Sequence, residues 1–313
     1  MRLAHRCHTM EVNCEGCAGC CIDWRSVAPE AVSLNHERRG PYRPLDDSYN
    51  LVPLSGDEVR AFLRAGLGDA LTPRLWRGER GPSVAVDGRS LAAIDGRPVF
   101  FVGLRKPPKP VAPFGLDPTW LPTCAFLDPE TLQCRIHGDE LYPDACERYP
   151  GDNLALDADT ECERVERAFG GERLLDDDPG DLTPLLAPSA VGGRLFAHPD
   201  RSRIEGRVAR LADGEATRED RAEFVAVAAA AAPGRLDVDT ERYERARETV
   251  LGADSWVGAA IEEWTERASG AGGAGGAGAD GASEPPDPSL GAVVEASRGA
   301  PGTPGWGENR DES

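Results

Sequence analysis

Cys14-Glu15-Gly16-Cys17-Ala18-Gly19-Cys20-Cys21 is the stretch on which the reading of this chain turns. Four thiols fall within eight residues: three are spaced by two intervening residues, and the fourth is adjacent. Two intervening residues let a short turn aim two thiolates at one ion, the spacing of zinc and iron–sulfur sites. Cys14, Cys17 and Cys20 can hold three corners of one tetrahedron or cubane, with a fourth ligand from elsewhere. Cys21 is expected to serve a different centre or to support the first, because neighbouring side chains in an extended segment diverge. Gly16 and Gly19 suit turns that need positive φ.

The chain has nine Cys, the others being Cys7, Cys124, Cys134, Cys146 and Cys162. Cys124, Cys134 and Cys146 lie about a hundred residues downstream. A loop that long closes at modest extra entropy, so one site region built from two distant Cys clusters is the simplest picture. A disulfide framework is disfavoured, because such frameworks belong to short secreted domains. Met1 to Val12 carries Arg, His and Glu but no apolar export core. No window reaches the length of a membrane-spanning helix. The expected location is cytoplasmic, where thiols stay reduced and a Cys cluster usually means metal. Translation starting at Met10 would remove His5, Cys7 and His8, so these are left out of the site.

The formal net charge is −19, and the basic residues are Arg except for Lys106 and Lys109. An acidic, Lys-poor surface stays hydrated in concentrated salt, which suggests a halophilic source. No basic stripe with interleaved aromatics is present, so nucleic acid is not an expected partner. Acidic runs such as Asp46-Asp47 and Asp176-Asp177-Asp178 read as solvated loops.

Ser55-Gly56-Asp57-Glu58 is a capping box, followed by Val59, Phe62 and Leu63 on one helix face. Val84 to Val86, Leu91 to Ile94 and Val99 to Leu104 read as strands, with Asp95-Gly96 as a hairpin turn. Residues 105 to 122 hold six Pro and read as an irregular connector. Ala125 to Leu127 and Leu132 to Ile136 flank a turn, which would bring Cys124 and Cys134 together. From about residue 201 the pattern is helical, through the Ala-rich run to Ala232, Tyr243 to Leu251 and Ser255 to Ala268. Residues 269 to 313 are Gly, Ala, Pro, Ser and acid, and lack the apolar area to offset ordering.

The segments Cys124-Ala-Phe-Leu, Cys134-Arg-Ile-His137 and Pro143-Asp-Ala-Cys146-Glu-Arg-Tyr149-Pro150 follow the Cys14–Cys21 run in order. Together they resemble the YkgJ family, described as carrying a zinc- or iron-chelating domain. The resemblance spans about residues 12 to 165, roughly half the chain. His137, Tyr142 and Glu147 depart from its usual Tyr and Arg residues, so any family role for those Arg does not carry over. The resemblance implies Cys14, Cys17, Cys20, Cys21, Cys124, Cys134 and Cys146 as metal ligands, with Cys162 as an eighth thiol. The family description leaves zinc possible, while the triad spacing favours a [4Fe–4S] cluster.

The expected fold class is α+β. Residues 10–170 would form a small, metal-stabilised, loop-rich Cys-cluster domain with short β-hairpins and a few helices. A linker (171–200), an all-α C-terminal region (201–268) and a disordered acidic tail (269–313) would follow. The expected function is metal binding through an iron–sulfur cluster or Zn2+, with a structural or redox role. One alternative is a cluster-dependent enzyme, an oxidoreductase or a methylase using S-adenosylmethionine, since flagellin lysine methylases are related to the family. No Gly-rich nucleotide fingerprint supports it, and five His leave few general bases. Another is an interaction module in which the helical part and tail recruit partners, with Trp256 and Trp264 more often core packing than exposed. A protein partner is left open, and neither a membrane partner nor an oligomeric state is indicated.

Overall fold

The computed structural model describes residues 5–7, 10–32, 34, 43–79, 81–176, 178–179, 190–270 and 287–304. Its strands are β1 (His5–Cys7), β2 (Met10–Val12), β3 (Arg43–Pro44), β4 (Leu71–Arg77), β5 (Ser83–Val86), β6 (Arg89–Ile94), β7 (Arg97–Leu104), β8 (Pro108–Val111), β9 (Thr119–Pro122) and β10 (Phe196–Ala197). Its α-helices are α1 (Gly56–Arg64), α2 (Asp144–Glu147), α3 (Gly151–Ala155), α4 (Glu161–Phe169), α5 (Val208–Ala212), α6 (Arg218–Ala230), α7 (Thr240–Leu251), α8 (Trp256–Gly270) and α9 (Ser289–Ser297). They fall into two units. The first draws on Met1–Glu37, Arg105–Leu182 and Trp256–Ser313, the second on Arg38–Leu104 and Thr183–Ser255. Among the described residues no helix is long and apolar enough to cross a membrane.

In the second unit an antiparallel sheet runs β10-β7-β4-β6-β5, with β3 paired to β4. β4 pairs with β7 from Leu71↔Leu104 to Leu75↔Phe100, then meets β6 at Arg77↔Leu91. β6 and β7 also pair beside their shared turn, where Asp95 (φ 50°) and Gly96 (φ 71°) take the left-handed conformation of a two-residue hairpin. Three strands each bonded to the other two cannot lie flat, so the sheet curls into a half-barrel. Ser55 caps α1 as its sequence implies, its Oγ accepting from Glu58 N at 3.2 Å. Helix α6 is buried all round from Ala222 to Ala230 and packs against β4, β7 and β10. Phe224 meets Phe100 edge-on at 5.1 Å.

Asp220 opens α6 fully buried, accepting from Arg207 at 3.0 Å and Arg210 at 2.6 Å. Burial pushes its carboxyl up, but the hydrogen bonds from Arg210, Thr217 and Arg207 prevail and hold it at about 2. The folded value lies below the ordinary 3.8, so the carboxylate stabilises above about pH 4 and loses its contribution as pH falls toward 2. Asp220→Asn should cost roughly 2–3 kcal/mol at pH 7. In urea denaturation the gap to wild type should narrow between pH 5 and pH 2; a pH-independent gap would contradict this.

In the first unit Trp24, wholly buried, meets Phe114 and Phe169 edge-on, each at 5.7 Å. A second anchor is ionic. Lys109 Nζ donates to Ala125 O and Leu127 O at 2.8 Å each, and pairs with Glu295 Oε1 at 2.5 Å. Glu295 Oε2 accepts from Arg135 Nε at 2.8 Å, and Arg135 pairs with Asp128 at 3.0 Å. Every member of this cluster is buried. It clamps α9 to the hairpin around Asp128.

These features correct the expected fold. The Cys-bearing part is not metal-stabilised: among the described residues no group of three or more His, Cys, Asp or Glu is set to hold a metal ion. Aromatic packing and the Lys109–Glu295–Arg135 cluster hold it instead. Helices are not confined to an all-α C-terminal region, since α5, α6 and α7 share a unit with the curled sheet and α1. The tail is not wholly disordered, because Ser289–Ser297 forms α9 and Pro301 O accepts from Arg135 at 2.8 Å. Residues 271–286 and 305–313 of that expected tail lie outside the described residues, as does Asp177 of the acidic run. The Pro-rich connector contains the β8–β9 ribbon, in which Pro108 stands opposite Pro122. A two-stranded ribbon has free edges, where a missing N–H is tolerated. Asp46 is not a solvated loop residue; it pairs with Arg74 at 2.8 Å. Trp264 is wholly buried, so it presents no docking surface.

Candidate functional site

The Cys14–Cys21 run folds as two successive tight turns. Cys17 N donates to Cys14 O at 3.1 Å, and Cys21 N donates to Ala18 O at 2.8 Å. Gly16 takes positive φ (62°) as expected, but the second left-handed residue is Ala18 (52°), not Gly19. Gly19 serves close approach: a Cβ there would sit 2.8 Å from Val165 Cγ2 of α4. The run leaves its second turn by pairing Ile22 with Thr123, and Cys124 N donates to Cys21 O at 2.8 Å. Cys134 stands across the next hairpin, where it bridges Leu127. Cys146 rides on α2. Cys162 sits in the first turn of α4, behind the Thr160–Glu163 capping box.

These placements converge. A cavity of about 90 Å³ is lined by Cys14, Cys17, Cys20 and Cys21, and also by Cys134, Cys146 and Cys162. Cys124 does not line it, yet its thiol interacts electrostatically with those of Cys20, Cys21 and Cys134. Every sequence-expected site residue is therefore brought to one region. All eight of these cysteines are free thiols.

Burial pushes the Cys17 thiol up to about 11 and the Cys134 thiol up to about 12, and it also raises Cys124. Cys20 and Cys21 touch, Sγ to Sγ, at 3.8 Å. The shared hydrogen holds the Cys20 thiol below its ordinary value and the Cys21 thiol well above it. Raised thiols are neutral near pH 7, so taking up a metal would release their protons.

Five further residues belong to the site region, and of these the sequence singles out only His137. Glu161 lines the cavity, its carboxylate accepting from Trp24 Nε1 at 3.0 Å and Arg164 Nη1 at 2.5 Å. Tyr149 lines it too, and its hydroxyl accepts from Glu161 N. His137 also lines the cavity, 4.9 Å ring to ring from Tyr142, and burial lowers its pKa. From sequence this imidazole reads as a group that could ligate or support a ligand, and more often as a polar neighbour of Cys. Lys106 and Lys109 stand behind Cys20, Cys21, Cys124 and Cys134 as the nearby cations. Lys109 is bound within the ionic cluster, whereas Lys106 Nζ is buried without a hydrogen-bond partner. The signal for both was present, since they are the only lysines in the chain.

Soft thiolates select zinc or iron–sulfur clusters over hard cations. The donor set therefore fits such a group, and the orphaned ammonium beside it fits the negative charge that thiolate ligation brings. Among the described residues the thiols form no preset group of three or more around one point.

No curated protein and no solved structure matches the chain. A family model described as "Family of unknown function (DUF7531)" matches residues 10–307. That span holds the whole thiol-lined cavity and both lysines, and on the extent of this match the chain belongs to the DUF7531 family.

Proposed function

We propose that this protein binds a metal centre, a [4Fe–4S]-type cluster or Zn2+, through thiolates of Cys14, Cys17, Cys20, Cys21, Cys124, Cys134, Cys146 and Cys162. The observation that carries this reading is the convergence of seven thiols, from four separated stretches of chain, on one cavity. The resemblance to the YkgJ family points the same way. A zinc ion there would be held by thiolates on a fold that already stands, and a cluster would supply electron transfer. Leu127 and Leu132 give the cavity apolar walls, and Glu161, held by Trp24 and Arg164, lines its flank. A reducing, cytoplasmic compartment agrees with eight free thiols.

The test is anaerobic purification of the full chain, followed by metal and sulfide analysis and a visible spectrum. A brown protein with iron and sulfide is expected for a cluster, and a colourless one with zinc for a thiolate zinc site. Protein purified without stoichiometric iron or zinc, and unable to take up either, would overturn the proposal.

A further inference from the structure

Every basic side chain outside residues 105 to 110 is Arg or His, yet that stretch carries two lysines. Lysine offers what arginine does not, a compact point charge with three rotatable donors. Lys109 uses it by donating to two carbonyls and pairing with Glu295. Lys106 has no such arrangement. Its Nζ is buried and makes no hydrogen bond. Its backbone runs beside Cys124, since Ala125 N donates to Arg105 O at 2.9 Å and Thr123 N to Pro107 O at 2.8 Å, and Cys124 N donates on to Cys21 O at 2.8 Å; the charges it senses most are those of Cys21, Cys124, Cys20 and Asp23. Asp23 is already engaged by Arg25, through bonds of 2.8 Å and 2.6 Å. A buried ammonium without a partner is costly, so what surrounds it should supply negative charge in the working state. Three of its four neighbours are thiols.

We infer that Lys106 is the counter-cation of the thiolate centre, donating hydrogen bonds to the sulfurs of Cys20, Cys21 and Cys124 once these ligate. This rests on the metal-binding reading above. Four thiolates around Zn2+ carry a net charge of −2, by simple addition of formal charges, and four around a [4Fe–4S]2+ cluster carry the same. Either would bury negative charge behind Cys20 and Cys21. Lys109 lies on that side too, but Glu295 already offsets its charge. Lys106 is thus a positioning residue that favours an anionic, sulfur-ligated occupant.

The experiment uses the full chain, stripped of metal anaerobically and titrated with Co2+ alone against a competing chelator. Wild type should show the sulfur-to-cobalt charge-transfer bands of thiolate ligation. Lys106→Met, of similar shape and no charge, should bind Co2+ about tenfold or more weakly. Its charge-transfer band should move to lower energy, because sulfur loses its hydrogen bonds. Lys106→Arg should recover part of the affinity by keeping the charge. The metal-free methionine variant should fold as wild type does, with an equal or higher melting midpoint, since an unpaired buried cation has been removed. Lys106→Gln provides the same comparison with a neutral polar side chain. Equal affinity and an unmoved band in the methionine and glutamine variants would overturn the assignment and leave the centre standing. Failure of both to fold without metal would overturn it as well, by making Lys106 a structural residue. Absence of thiolate bands in wild type would overturn the centre itself.

Discussion

Cys20→Ser is expected to weaken metal uptake by roughly two to three orders of magnitude while leaving the far-ultraviolet circular dichroism of the protein unchanged. Cys20 is the most connected thiol of the site. It touches Cys21 at 3.8 Å, and its charge is felt by Cys17, Cys124, Cys134 and Tyr149. Within the Cys20–Cys21 pair its thiol is the one held below the ordinary value, by the hydrogen bond from Cys21. A serine hydroxyl is nearly isosteric but stays protonated at neutral pH and is a hard, weak ligand. If a thiolate zinc site binds with about 10–16 kcal/mol, losing one of four ligands costs roughly 3–4 kcal/mol, or two to three orders of magnitude in affinity. Chelator competition with Zn2+ or Co2+ reads that loss directly. A variant with wild-type affinity would remove Cys20 from the centre.

Glu295→Ala should be the most damaging single change to the stability of the first unit, at about 3–5 kcal/mol. Glu295 is wholly buried and receives Lys109 at 2.5 Å, Arg135 at 2.8 Å and Trp264 Nε1 at 3.3 Å. Truncating it leaves Lys109 without a carboxylate and Arg135 with Asp128 alone. Glu295→Gln should cost less, because it keeps the shape and an acceptor. Replacing Lys109 and Glu295 together with Met should recover part of the loss, since a buried pair removed as a pair takes its desolvation cost with it. The cluster is shielded from solvent, so added salt should change the loss little. Urea denaturation monitored by Trp fluorescence measures each variant. A loss under about 1 kcal/mol for the alanine variant would show that the cluster does not hold α9.

What was legible in the sequence was local chemistry. Ser55 and Glu58 cap a helix because the two groups that satisfy each other lie three residues apart. Asp95-Gly96 turns a hairpin because its backbone conformation is written in its own residues. The thiols of the run were legible as a cluster for the same reason, and the nearness of Cys124 and Cys134 followed from the short hairpin between them. The core strand β4 was not legible, because Pro73 reads as a breaker and Arg74 and Arg77 break the alternation. The Arg135–Glu295 pair spans 160 residues, and a lone Glu in a Gly- and Ala-rich stretch carries no local sign of burial. Lys106 was visible in the composition but was absorbed into a reading of the surface charge. Its neighbours become evident only once the run and residues 122 to 124 pair.

The division of the first unit into three stretches of chain has a consequence for its synthesis. Cys14 to Cys21 leave the ribosome first, and Glu295 some 270 residues later. At about 5–20 residues per second that interval is roughly 15–55 s. For that time the run is exposed without the helix that clamps the hairpin beside it, open to oxidants and to whichever soft metal is abundant. A premature stop between residues 163 and 294 would release a chain that carries every thiol of the site. It would lack the carboxylate that neutralises Lys109 and Arg135. Such fragments would be metal-competent in composition yet unclosed in structure, and the cell would have to clear them on the second count alone.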